Sequence, residues 1–220
     1  MSPATRTYGQ HCGLAASLDL LGERWTMLIL RELGRGPKRF GDLLEGLPGI
    51  GSNLLSARLK TLEGAGVIER VTLPPPAAVP AYDLSERGDS LRPILEDLAL
   101  WGFELLADEA REQTEPRAAW AAMLMNAQMK RSGATPADGT YAFVVGEESF
   151  WLRIKDGESS LRDGSPPFDC DVLATVDKQG FFDMASGNAT PSAAGVRVEG
   201  VSSRLETLLK TFRLPSLPPE

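Results

Sequence analysis

Apolar positions in the first hundred residues recur at spacings of three and four. Leu14, Leu18 and Leu21 predict a first helix ending at Gly22, and the run TMLILREL, with Trp25 before it, predicts a second that Gly34 and Gly36 stop. Pro37, Lys38, Arg39 and Phe40 read as a short extended piece; Phe40, Leu43, Leu44 and Leu47 mark a third helix that Pro48 and Gly49 end. The stretch that follows, GSNLLSARLKTLEGAGVIER over residues 51–70, holds the element to which the others are subordinate. Ser52 and Asn53 are residue types that cap helix starts, and Gly64 and Gly66 can end one, so a helix is predicted between them. At about 100° per residue, Leu55, Leu59 and Leu62 fall on one stripe turned to a core. Asn53, Ala57 and Lys60, with Ser56 beside them, form the opposite face: small, polar, mildly basic and free of carboxylates.

Residues 67–73 alternate and are rich in β-branched side chains, the proline-rich residues 74–80 are predicted to form a loop, and residues 81–84 form a second strand. Two short helices joined by a tight Gly-containing turn, with a hairpin directly behind the second, make a helix-turn-helix with a wing. A small polar helix face can enter a DNA major groove, where Asn, Ser and Lys address base edges or phosphates; the same face also reads as ordinary solvated surface. Residues 85–88 then turn the chain into a long helix predicted over residues 89–113. On it Leu91, Ile94, Leu95, Leu98, Trp101, Leu105 and Leu106 form an apolar face broader than one small winged domain covers. Either a second subunit or the C-terminal half covers it.

A polar stretch at residues 112–117 predicts a boundary between a first domain, residues 1–113, and a second, residues 117–214, with residues 215–220 a frayed tail. The second domain opens with an Ala- and Met-rich helix over residues 118–131. Strands follow at 140–145, 149–155, 159–162 and 171–176, then a short helix at 178–186, a strand at 195–199, and a closing helix carrying Leu205, Leu208, Leu209 and Phe212. The class is α+β with a mostly antiparallel sheet in the second domain. Its strands carry apolar residues in alternation, and Phe143, Trp151, Leu152, Phe181, Phe182 and Met184 either fill a core or line a pocket.

The apolar share of 42% and charged share of 24% are those of a soluble globular chain. No basic, apolar leader is seen, and the longest apolar run, residues 118–125, is far short of the ~20 residues that span a bilayer, so a cytoplasmic protein without a membrane partner is expected. A net charge of −7 argues against indiscriminate nucleic-acid binding. Between residues 35 and 70, however, Arg35, Lys38, Arg39, Arg58, Lys60 and Arg70 outnumber Asp42, Glu45, Glu63 and Glu69, so a DNA contact would be local and salt-sensitive. Cys12 and Cys170 do not make a disulfide framework, and His11 is the only histidine. No phosphate-binding loop, Gly-x-Ser-x-Gly elbow or His-x-x-x-His pair occurs; neither a metal, a cofactor nor an enzymatic activity is expected.

The succession LDLLGERWT at 18–26, ILREL at 29–33, GPKRFGDL at 36–43, LSARLKTLE at 55–63, GVIER at 66–70 and YDLS at 82–85 resembles the HxlR family of bacterial transcriptional regulators over residues 9–107. The resemblance implies a winged helix-turn-helix, a homodimer built on the first and last helices, and binding to a double-stranded DNA operator. Carried over by position, the helix beginning at Ser52 reads the groove, with Ser52, Asn53, Ser56, Ala57, Arg58 and Lys60 as contacts, and Lys38 and Arg39 lie near phosphates. The hairpin tip here is Pro and Ala where a wing often carries Arg or Lys. Cys12 stands where some members carry a thiol that senses oxidants or electrophiles; it also reads as a small, half-buried apolar residue.

FWLRIKDG at 150–157, CDVLATV at 170–176, MASG at 184–187 and VRVEG at 196–200 resemble the sterol-carrier-protein type of lipid-binding domain, which implies an apolar cavity for a hydrophobic small molecule. The expected protein is a dimeric DNA-binding regulator whose second domain senses such an effector. Two alternatives stay open: a small-molecule carrier that uses the winged domain for dimerisation, and a regulator switched through Cys12.

Overall fold

Leu30, Leu33, Leu43, Leu55 and Leu59 are almost wholly enclosed, and the N-terminal elements are arranged around them. The computed structural model describes residues 7–106, 116–134 and 136–215. Its first elements are α1 (Gly13–Leu21), α2 (Thr26–Leu33), α3 (Phe40–Gly46), α4 (Ser52–Gly64), strands β1 (Ile68–Thr72) and β2 (Pro80–Leu84), α5 (Glu86–Asp89) and α6 (Arg92–Phe103). Helix positions follow the leucine spacing because each helix turns one apolar stripe into a shared core. The start of α4 differs from expectation. Gly51, in extended conformation, occupies the N-cap, and Ser52 and Asn53 are the first helical residues rather than caps.

β1 and β2 pair antiparallel with Ile68 opposite Leu84 and Thr72 opposite Pro80. Pro80, expected in the loop, is thus the first residue of a strand, where its missing N–H costs no central ladder bond. Tyr82 also exchanges both backbone hydrogen bonds with Lys38, at 2.9 and 2.8 Å, which ties the extended link after α2 to the wing.

The long helix expected over residues 89–113 is broken at its start. Ser85 caps a separate short helix, α5, by accepting the Gly88 N–H, and α6 begins only at Arg92. Pro93 fits the break, since it has no N–H to give to the Asp89 carbonyl that a continuous helix would pair with it, yet is tolerated in the first turn of a new helix. After Phe103 the chain turns at Glu104 and Leu105; residues 107–113 lie outside the described residues. The chain divides into two compact units between Leu95 and Glu96, ahead of the boundary expected at 112–117. Leu95 belongs to the first core. Glu96 accepts hydrogen bonds at 3.1 Å from Asn126 Nδ2 and Lys130 Nζ within the second unit. The predicted frayed tail is outside the described residues apart from Pro215.

The second unit comprises α7 (Ala118–Arg131), β3 (Gly139–Val145), β4 (Glu148–Lys155), β5 (Glu158–Asp163), β6 (Val172–Val176), α8 (Lys178–Ala185), β7 (Arg197–Gly200) and α9 (Ser202–Leu208). Its sheet has the order β5-β4-β3-β6-β7; β3 and β6 run parallel and every other pair is antiparallel. Tyr141, Phe143 and Val145 of β3 and Phe150, Leu152 and Ile154 of β4 share one face. They pack with Met125 of α7, Phe181 and Met184 of α8 and Leu205 and Leu208 of α9. Asn126 is fully buried and satisfied by Glu96 and by Ser159 Oγ, which donates at 2.7 Å.

The N-terminus of α7 has no side-chain cap of its own. Glu148, at the start of β4, supplies one across the fold by accepting the Ala118 and Ala119 N–H groups at 3.0 and 3.2 Å. Glu148→Ala is expected to cost about 1 kcal/mol, the usual worth of a cap, with Glu148→Gln losing less. Thermal unfolding of the two variants checks it, and equal stability of wild type and Glu148→Ala would refute it.

Candidate nucleic-acid interface

Helix α4 is oriented by what it buries. Leu55, Leu59 and Leu62 enter the core, and the turn before the helix brings Gly49, at φ +94°, against the Trp25 indole. With that stripe inward, Ser52, Asn53, Ser56, Ala57 and Lys60 are all exposed. No carboxylate interrupts this surface, and Lys60 makes no ion pair among the described residues.

The other cations expected at the interface are more committed. Arg58 turns from the open face and donates Nη2 to Glu23 at 2.7 Å; its side chain is only 22% exposed and its Nε is enclosed without an acceptor. It braces α4 against the turn between α1 and α2. Arg39 occupies the N-cap of α3 and binds Asp42 through Nε and Nη2 at 3.1 and 2.9 Å, but remains 56% exposed. Lys38 is held at the base of the wing by its backbone bridge to Tyr82. Arg35, counted among the local bases, is buried against Glu32 at 2.7 Å and belongs to the core.

Asp42 illustrates how these ion pairs respond to pH. Partial burial disfavours its carboxylate, but the side chain and backbone N–H of Arg39 outweigh burial and hold its pKa below the ordinary value. The stabilisation is therefore present above the unfolded carboxylate pKa of about 4 and is lost as the pH falls through the lower folded value. Asp42→Asn should flatten the acid limb of a stability-versus-pH curve; an unchanged limb would show that Asp42 contributes nothing there.

Arg70 was not singled out as a contact. It sits opposite Tyr82 in the β1–β2 register, stacks over that ring at 5.4 Å and binds Glu63 Oε1 at 2.9 Å. Alternation along β1 was the signal that could have found it. The wing tip itself, residues 73–79, offers Pro, Ala, Val and Leu and no cation.

Outside this surface, Cys12 is exposed at the N-cap of α1, Cys170 is partly buried, and both thiols are free. Leu14 and Leu18 on α1 and Ile94, Leu98 and Trp101 on α6 are exposed apolar side chains at helical spacing. Of the six pocket candidates, Phe143, Leu152, Phe181 and Met184 are enclosed in the second core; the Phe143 ring lies 5.0 Å from Phe150 and 6.1 Å from Phe212. Phe182 is partly buried with its ring edge-on to Phe181 at 5.4 Å. Trp151 is not with them. Strand alternation puts it on the other sheet face, opposite Ala142 and Arg162 and edge-on to Phe168.

Among the described residues no helix is long and apolar enough to cross a membrane. Residues 20–110 match the model of the HxlR-like helix-turn-helix family. The uncharacterized HTH-type transcriptional regulator sll1512 of Synechocystis sp. is 36% identical over 104 residues, covering 47% of this chain and 77% of that protein. The HTH-type transcriptional regulator YodB of Bacillus subtilis is 36% identical over 88 residues, covering 40% and 79%. The solved reduced form of YodB aligns at 34% identity over 43% of this chain and 94% of that one, with a TM-score of 0.38. A helix-turn-helix built on the matched residues, together with 36% identity over most of a regulator's length, means that this chain belongs to the HxlR-like helix-turn-helix family of transcriptional regulators.

Proposed function

We propose that the protein is a homodimeric regulator, not a catalyst, that binds operator DNA by inserting α4 of each subunit into the major groove, and that its second unit responds to a hydrophobic small molecule. The observation that carries the reading is the exposed face of α4, free of carboxylates and backed by three buried leucines. Dimerisation draws support from the exposed apolar stripes of α1 and α6, which a second copy would remove from water. The effector reading draws on an α+β unit whose helices cover one sheet face. Because Phe143, Phe150, Phe181 and Phe212 fill that space, an effector there must displace side chains. To regulate, it must also distinguish DNA-competent from incompetent dimers by about 1–3 kcal/mol.

A mobility-shift series over increasing salt, with the DNA upstream of the protein's own gene, is the test. Lys60→Ala should weaken binding to all sequences and lower the salt slope by about one, whereas Asn53→Ala should relax preference at one base position. Unchanged binding by both variants would place the contact on another surface. A second reading, favoured by the exposed free thiol of Cys12, is that oxidants switch the regulator. A thiol oxidant added to the same assay would weaken operator binding by wild type and leave Cys12→Ser unaffected.

A further inference from the structure

The winged unit contains a cleft that the groove-reading face leaves unused. About 290 Å³ of space lies among Ala16, Leu20 and Leu21 of α1, Val67 after α4, and Arg87 and Leu91 on the α5–α6 side. It is open because α1 turns small side chains toward it, and it is held open by rigid neighbours. A Cβ on Gly88 would stand 2.0 Å from the Val67 carbonyl oxygen, so α5 sits directly on the chain leaving α4. Ser85 Oγ donates to the Gly66 carbonyl at 2.6 Å and pins the same contact.

The lining is mostly apolar, with the Ser17 and Ser90 hydroxyls already donating to the Leu14 and Arg87 carbonyls, and it carries one cation. Arg87 donates Nη1 to the Ala65 carbonyl, the C-cap of α4, at 3.2 Å, and has no carboxylate partner among the described residues. The cleft adjoins the exposed Leu14 and Leu18 stripe of α1 without including it: at about 100° per residue Leu20 lies roughly 120° or more around the helix from both, while Leu21, at the rim, lies about 20° from Leu14.

We propose that this cleft binds a small single-ring organic carboxylate, with the ring between the leucines above Val67 and the carboxylate on the Arg87 guanidinium. The volume is at the lower end of the range for small-molecule sites, about 300–1,000 Å³, which limits the occupant to a compact molecule. A guanidinium matches a carboxylate in two parallel hydrogen bonds. The apolar walls disfavour a strongly hydrated phosphate. Since Arg87 also holds the last turn of α4, a carboxylate that draws on the same guanidinium ties occupancy of the cleft to the end of the helix that faces DNA. This site lies in the winged unit and stands apart from any effector site in the second unit.

Isothermal titration of the full-length protein with benzoate tests the site without DNA, so it stands or falls separately from operator binding. Benzoate should bind one per chain with a Kd on the order of 1 mM or tighter, and neutral benzamide about tenfold or more weaker. Arg87→Gln should bring benzoate down to the benzamide level, and Ala16→Phe, a substitution at an exposed position beside the cleft, should abolish both. Circular dichroism reports whether each variant is folded; if Arg87→Gln is not, the benzoate-to-benzamide ratio and Ala16→Phe still decide. Absence of saturable benzoate binding, equal binding of the two probes, or full benzoate binding by Ala16→Phe would overturn the proposal.

Discussion

Ala57→Glu is expected to reduce operator affinity by at least about 100-fold, because a like charge forced against phosphate costs several kcal/mol. Ala57 lies in the middle of the exposed face of α4, between Asn53 and Lys60, and its methyl group makes this part of the helix the least bulky. Glutamate there adds length where close approach is needed and a negative charge where the duplex is most negative. Because the position is exposed, the unfolding free energy should change by no more than an ordinary surface substitution does, about 0.5 kcal/mol. Glutamate is also a better helix former than most polar residues, so α4 itself has no reason to unwind. Full-strength binding by a folded Ala57→Glu protein would mean that α4 does not enter the groove, whatever else touches DNA.

Phe143→Ala is expected to destabilise the second unit by about 3–5 kcal/mol, the usual cost of truncating an enclosed aromatic side chain. Phe143 is stacked between Phe150 and Phe212, with Tyr141 and Val145 beside it on the same face of β3. Denaturant unfolding of the full chain measures the change through the midpoint of the transition. The result also separates two roles that the sequence leaves open for this residue. A side chain that merely borders an empty cavity loses few contacts when shortened. A loss below about 1 kcal/mol would therefore make Phe143 a pocket wall and strengthen the case for an effector in this unit without side-chain displacement.

Some elements were legible because the forces that form them act over a few residues. The leucine spacing of α4, the alternation of β3 and β4, and the turn glycines each carry their meaning within one or two turns or one strand, and the structure places these elements within a residue or two of where they were expected. The break before α6 had its signal in Pro93, which the apolar periodicity of Leu91, Leu95 and Leu98 masked. Trp151 stands among the pocket candidates, although its position between Phe150 and Leu152 sets it on the other face of the sheet.

By itself, then, the sequence determined that a small polar helix face would be presented opposite a leucine stripe, with a hairpin behind it, because both are consequences of backbone period. Only the tertiary structure decided which cations that face retains. Arg58 meets Glu23 from 35 positions away and is drawn off that face, while Lys60 makes no ion pair among the described residues. It also decided that β6, not a neighbour in sequence, pairs parallel with β3. Such pairings depend on which surfaces the packed core brings within a few ångströms, and a charge or a strand edge carries no mark of its partner until that packing exists.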